Sequence, residues 1–215
     1  MARVETIGKR TSARGARMNA SGHVRLDSIM TVAREILVRD GYAELTMRKV
    51  AKEAGISIGH LQHFIPTKEK LIEALFEFAS DLYDEKYRQL VADLPADPRQ
   101  RFAAIIDYLL QDATSAHTKA FHFEFWTIGL RHPGAKRVID RMHRHHRQTL
   151  ARLIGQINPA LDERQCTSRA LQAAAVIDGL KVHTDAPRAR RGSQAEALED
   201  IRRAVIELAT TPPTG

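Results

Sequence analysis

The stretch "VAKEAGISIGHLQHFIPTKEKL", residues 50–71, spaces its apolar residues at helical intervals but sets glycines, histidines and a glutamine between them. Buried packing would favour Leu, Val or Ala here, and a plain solvent face would favour Lys and Glu. His60, Gln62 and His63 are instead planar hydrogen-bonding groups, suited to touching polar edges. Ala51 and Gly55 stand four apart. The small residue lets two helices approach, and the glycine takes the positive φ of a tight turn. Ser57 is placed to cap a short helix to about His63. Two short helices about a glycine turn read as a helix-turn-helix, whose second helix is the one that enters the DNA major groove.

The flanks extend this pattern. From Asp27, residues Ile29, Val32, Ala33, Ile36 and Leu37 mark one face of a helix, which Gly41 ends in the left-handed conformation. Thr46 is a fitting N-cap for the helix of Val50, Ala51 and Ala54. Pro66 and Thr67 start a long helix through Leu71, Leu75, Phe78 and Leu82, and the two prolines of "ADLPADPRQ", 92–100, break it. Later helices pass through Phe102, Ile105, Ile106 and Leu109, then through Phe121, Phe125 and Trp126 as far as Pro133. Further helices cover 134–156 and 160–181. After a loop at 184–193, a last one runs through Ala197, Ile201, Val205 and Leu208. No segment alternates like a strand, so the fold class is all-α with about nine helices. Three parts follow: a basic flexible arm over 1–26, a helix-turn-helix domain over 27–72, and a ligand-binding and dimerisation domain over 73–215.

Of the net charge of +7, residues 1–70 carry +6, from 13 Lys+Arg against 7 Asp+Glu. Segregation of this kind favours a polyanion-binding module joined to a nearly neutral one. The arm's Arg3, Lys9, Arg10, Arg14, Arg17 and Arg25 suit phosphates or a minor groove. Hydrophobic content of 43% and charged content of 27% are ordinary for a soluble protein. No membrane-length apolar run and no secretory signal occur, and the lone Cys166 excludes an internal disulfide, so a cytoplasmic setting is expected. Cys166 itself reads as a helix-packing residue. Catalysis lacks any G-x-S-x-G, phosphate-cradling glycine loop or H-E-x-x-H, so no enzyme and no cofactor are expected. In "RMHRHHRQ", 141–148, arginines interleave His143, His145 and His146 and repel a cation. That run reads as a solvated basic face with no metal.

Over about residues 28–75 the sequence resembles the TetR family of transcriptional regulators, through the helix ended by "DGY", then "LTMRKVAKEAGIS" and the G-x-L/V-x-x-x-F-x-[ST]-K-E trailer. The resemblance implies a homodimer with an N-terminal DNA-binding domain and a larger effector-binding domain. It implies that Thr46 and Arg48 touch DNA backbone and groove. Ser57, Gly59, His60, Gln62 and His63 fall on the recognition helix, and Lys68 falls at a phosphate contact. Gln62 and Phe64 stand where many members have tyrosine, and Ile65 replaces the usual phenylalanine. "FEFWTIGLRHP" (123–133) and "AAAVIDGL" (173–180) look like the regulatory domain of choline-response members.

The expected function is a repressor that binds double-stranded operator DNA as a homodimer and is released by a small molecule. A ligand-independent or architectural DNA-binding dimer is the alternative. Phe102, Phe121, His122, Phe125, Trp126 and Met142 are candidates for an effector pocket, with His122 or Glu124 as polar contact, though aromatics at helical spacing also suit plain core. For the dimer, Ala170, Ala174 and Ile177 on one helix and Ile201, Val205 and Leu208 on the last suggest a four-helix bundle.

Overall fold

A computed structural model of the chain describes residues 20–94, 96–184 and 191–213, with side chains of 20–24 and 191–194 left aside. Among the described residues there are nine α-helices: α1 (Ala20–Asp40), α2 (Met47–Glu53), α3 (Ile58–Phe64), α4 (Lys68–Ala92), α5 (Pro98–Thr114), α6 (Ala116–Gly129), α7 (Pro133–Ile157), α8 (Glu163–His183) and α9 (Arg191–Thr210). A 3-10 turn, Tyr42–Glu44, joins α1 to α2, and no strand occurs among the described residues.

Side-chain caps set most helix starts. Thr46, Ser57, Thr67, Asp97, Ser115 and Asp162 each accept a backbone N–H three residues on. Those bonds satisfy donors that a helix leaves unpaired in its first turn. Pro98 and Pro133 open α5 and α7, where a missing N–H costs nothing. Two boundaries, and the conformation of one terminating glycine, differ from the sequence reading. The first helix begins at Ala20, so residues 20–26 of the supposed arm are helical. They contain no proline, and one internal glycine costs only about 1 kcal/mol. Residues 1–19 lie outside the described residues. The last helix begins at Arg191, inside the expected loop. Gly41 ends α1 with φ 82° and ψ 172°, a positive-φ region other than the left-handed helical one and open essentially only to glycine.

Two hydrophobic cores stack along the molecule. The first joins Ile36, Val50, Leu61, Leu71 and Phe76 of α1–α4, but also Phe125 and Ile128 of α6 and Ala135 and Val138 of α7. The helix-turn-helix core thus does not stop at residue 72. Stacked rings of Phe76 and Phe125, with centroids 3.9 Å apart, tie α4 to α6. The second core joins Phe102 and Ile106 of α5, Leu150 and Ile154 of α7, Ala170 and Ile177 of α8, and Val205 of α9. Below it, Asn158 and Arg169 donate to carbonyls at the end of α9, including Thr211 O at 2.8 Å from Asn158 Nδ2.

The second core takes up most of the stripe expected at the dimer contact. Ala170, Ala174, Ile177 and Val205 are spent inside the protomer, and Ile201 and Leu208 are half-buried against the same core. Their spacing was read properly as one apolar face, but α5 and α7 cover it. Away from that core, α8 exposes Leu171 and Val182 on one side, at 55% and 61%, and Val176 on another, at 43%.

Neighbouring residues of α8 therefore separate the two faces. In denaturant unfolding, Ile177→Ala should cost ~2–5 kcal/mol by leaving a cavity. Val176→Ala should stay within about 0.5 kcal/mol at concentrations where protomers are separate. Equal losses would show that the burial pattern of α8 is misassigned.

Candidate DNA interface and internal cavity

The expected DNA-facing residues gather on one surface. Thr46 Oγ1 and Ser57 Oγ take the N–H groups of Lys49 and His60, each at 3.2 Å, so both are exposed caps as well as candidate contacts. Arg48, Gly59, Gln62 and His63 are exposed. A Cβ on Gly59 would meet nothing within 4 Å, so nothing inside the protein requires glycine there. Phe64 forms a shelf beneath the histidines, edge-on to His60 at 5.2 Å and to His63 at 5.5 Å. Arg25, assigned to the arm, stands instead on α1 with Nη1 3.5 Å from His60 Nε2. Lys68 turns inward: its Nζ lies 4.2 Å from the centre of the Tyr42 ring and 3.5 Å from the Tyr42 carbonyl. A network of Arg39 with Asp40 and Glu53, and of Lys49 with Asp40 and Glu44, fastens α1 to α2. Hydrogen bonds from Arg39 and then Lys49 bring the Asp40 carboxyl down to about 2.

A cavity of about 430 Å³ lies at the seam between the two cores. Phe121 and Phe125 of α6, Met142 of α7, Tyr83 of α4 and Tyr108 of α5 supply apolar wall. The polar lining includes His122, His143 and His146, with the Asp178–Lys181 ion pair of α8 at 2.5 Å. Four of the expected pocket residues, Phe121, His122, Phe125 and Met142, are brought together here. Two are not. Phe102 is 1% exposed in the second core, and Trp126 is 44% exposed outside the wall, packed on the rings of His122 and His143. Trp126 sits one residue past Phe125 on α6, a 100° turn away from the cavity. The basic "RMHRHHRQ" run is likewise split: His145 faces out, while His143 and His146 face in. Among the described residues, no group of His, Cys, Asp or Glu is arranged to hold a metal. Sequence reasoning passed over Tyr83, Asp178, Lys181 and Arg34. Charged residues within an alanine-rich buried helix were a usable signal for Asp178 and Lys181; Arg34 and Tyr83 gave none.

Burial sets the histidine chemistry. Loss of water brings His122 and His146 down to about 4 and lowers His143, with Lys181 opposing protonation and Asp178 favouring it. At neutral pH these rings are therefore uncharged, each offering one donor and one acceptor.

Helix α6 also touches α1 and the 3-10 turn that leads into α2. Glu124 Oε2 accepts the backbone N–H of Tyr42 at 3.2 Å. The Tyr42 hydroxyl lies 2.7 Å from His132 Nε2, in the turn after α6. Glycine at 41 permits this approach, since a Cβ there would come within 3.3 Å of Glu124 Oε1.

Residues 29–75 match the family described as bacterial regulatory proteins, tetR family, and residues 98–209 match the BetI-type transcriptional repressor C-terminal family. An HTH-type transcriptional regulator BetI of Stenotrophomonas maltophilia is 28% identical over 159 residues, 73% of this chain and 79% of that protein. A BetI regulator of Burkholderia lata is 31% identical over 142 residues, 65% and 71% of the two chains. A TetR regulator structure from Haloarcula marismortui superposes with a TM-score of 0.70 at 20% identity, covering 87% of this chain and 97% of that one.

Two measurements follow from these geometries. Gln62→Ala should flatten base preference at one operator position, by about 1–3 kcal/mol, in a randomised-site selection; an unchanged profile would remove Gln62 from base readout. For the histidines the folded-state values lie below the unfolded value of 6.5, so the unfolded chain binds more protons between them. Stability should accordingly be full above about pH 6.5 and decline down to about pH 4. His146→Phe should flatten that limb of a Tm-against-pH curve, and a limb of unchanged slope would show His146 to be hydrated.

Proposed function

The chain belongs to the TetR family of transcriptional regulators, and on that premise we propose that it is a dimeric repressor released from its operator by a small molecule held in the α4–α8 cavity. It is a DNA-binding regulator rather than an enzyme; the repressor role, the release and the dimer are the proposed part. A single observation carries the reading: α6 supplies two aromatic walls of the cavity and, one residue before Phe125, the carboxylate that holds Tyr42 of the DNA-binding part. A guest that pushes Phe121 and Phe125 therefore moves Glu124, and with it the 3-10 turn ahead of α2 and α3.

The dimer reading rests on symmetry and on α8. One helix-turn-helix reads one half of a two-fold site, and two recognition helices must match a spacing of ~34–36 Å. The exposed side of α8 that carries Leu171 and Val182 suits a second copy of this chain. Ligand favours the spacing that fails to match, so the response is a population shift. For a regulator from Saccharomonospora viridis, solved in complex with choline, the superposition has a TM-score of 0.68 at 19% identity, covering 84% of this chain and 96% of that one. That likeness supports the fold only, and the guest of the present cavity has to be argued from its own lining.

The test uses an operator obtained by selection, a labelled-DNA anisotropy assay and a compound library. Compounds that bind the cavity should release the DNA. In Glu124→Ala, which removes the acceptor for Tyr42 N–H, cavity binding should persist while the ligand-dependent loss of operator affinity shrinks at least fivefold. Cavity ligands that leave operator affinity untouched in the parent protein would favour a ligand-independent DNA-binding dimer instead.

A further inference from the structure

The cavity mouth is built from α1, α4 and α6, and its charges are unevenly matched. Arg34 of α1 lines the cavity from within the DNA-binding part. Its guanidinium meets His117 Nε2 at 2.5 Å and lies 5.7 Å from the centre of the Phe121 ring. Neither partner carries negative charge. A guanidinium has no lone pair to give, so His117 Nε2 is the acceptor and its proton sits on Nδ1. Burial, followed by the nearby charges of Arg34 and Lys86, lowers His117 and keeps that ring neutral. Lys86 of α4 lines the same mouth.

The acids of the lining differ in how far they are already paired. Asp178 is taken by Lys181 at 2.5 Å, and Asp84 stands 4.0 Å from His145. Asp112 accepts the Thr118 hydroxyl at 3.0 Å and has the best claim to a cationic guest. At the far end, Phe121, Phe125, Met142 and Tyr83 offer an apolar chamber.

Resting on the effector reading above, we infer that the cavity takes an organic anion, a carboxylate with an aryl or branched apolar body, whose charge is received by Arg34 in place of His117. A carboxylate matches the planar fork of a guanidinium with two parallel hydrogen bonds, which a single imidazole nitrogen does not. The apolar body then fills the chamber against Phe121 and Phe125. Arg34 belongs to α1, so the guest's charged end pulls directly on the helix that carries the helix-turn-helix, while its apolar end bears on α6. One guest thereby grips both sides of the seam.

The test compares three probes of one shape at each of several chain lengths: 3-phenylpropanoate, 3-phenylpropanamide and 3-phenylpropylammonium, with shorter and longer homologues. Trp126, the one tryptophan of the sequence, packs on His122 and His143 of the lining and reports occupancy by its fluorescence. For the intact protein at neutral pH, the carboxylate should bind at least tenfold more tightly than the amide, and the ammonium more weakly still. Arg34→Gln should reduce the carboxylate-to-amide ratio to within about twofold, with its melting curve recorded to establish that it folds. His117→Ala, which frees Arg34 from its present partner, should raise carboxylate affinity and leave the amide unchanged. These opposite signs cannot both come from a damaged fold. An ammonium that binds best overturns the anion assignment and hands the site to Asp112, whereas a ratio that survives Arg34→Gln overturns Arg34 as the receiving group; either result leaves an effector cavity in place. If no probe of any charge or length perturbs Trp126 or the operator complex, the effector reading falls together with it.

Discussion

The carboxylate of Glu124 accepts the backbone N–H of Tyr42 across 82 residues of sequence, and that bond joins α6 to the turn that leads into the helix-turn-helix. A backbone donor in a turn cannot swing away as a side chain does, so the acceptor's position and the turn's position are locked together. Gly41 gives the carboxylate room, since a Cβ there would stand a tight 3.3 Å from Glu124 Oε1, and the positive φ that the chain takes there is one that only glycine adopts cheaply. His132 adds a second hold on the Tyr42 hydroxyl, and Lys68 covers the ring. Tyr42 is consequently gripped by two elements of the regulatory part and by the start of α4. Lys68, in the conformation seen, serves this joint; reaching a phosphate requires it to leave the Tyr42 ring.

Around the joint, packing explains why a cavity exists where it does. The first core is finished by the Phe76–Phe125 stack, and the second begins at Leu109 and Ile177. Between them α4 and α7 continue as long helices of 25 residues each, while α6 stops after 14. Two well-filled cores of different helix composition leave unfilled space at their boundary. Titratable side chains line it, and burial keeps His122, His143 and His146 uncharged there at neutral pH.

Local chemistry made the helix-turn-helix legible from sequence. Caps at Thr46 and Ser57, a turn glycine at 55 and apolar residues at helical spacing each act over a few residues, and all are where the sequence implied. The cavity was half legible. Phe121, His122, Phe125 and Met142 share it, but periodicity says only that a face is apolar, never what covers it. Trp126 and Phe102 went astray for that reason, and so did Ala170 and Ile177, whose small-residue and aliphatic stripe serves the protomer's own α5 and α7. Arg34 escaped notice altogether. An arginine on a helix of a basic domain reads as a DNA contact or a solvated charge, and its place at a cavity mouth depends on α6 crossing α1, which no local pattern encodes.

Magnitudes limit how much of the switch one bond can carry. A hydrogen bond to a charged group contributes about 1.5–3 kcal/mol, which corresponds to roughly tenfold to a hundredfold in an equilibrium. Taking a two-state regulator from 99:1 to 1:99 requires about 5.5 kcal/mol of differential ligand affinity. The Glu124–Tyr42 bond is therefore too weak to be the whole transmission, and the remainder has to come from surfaces that change contact together. The Phe76–Phe125 stack and the Arg34–Phe121 contact qualify, because each lies between α6 and a helix of the first core, α4 and α1 respectively. Apolar repacking at such a seam is all-or-none over a few residues, since close-packed interiors do not deform smoothly. In the proposed release, the hydrogen bond would set the direction in which α6 drags the 3-10 turn, and the seam would supply most of the free energy.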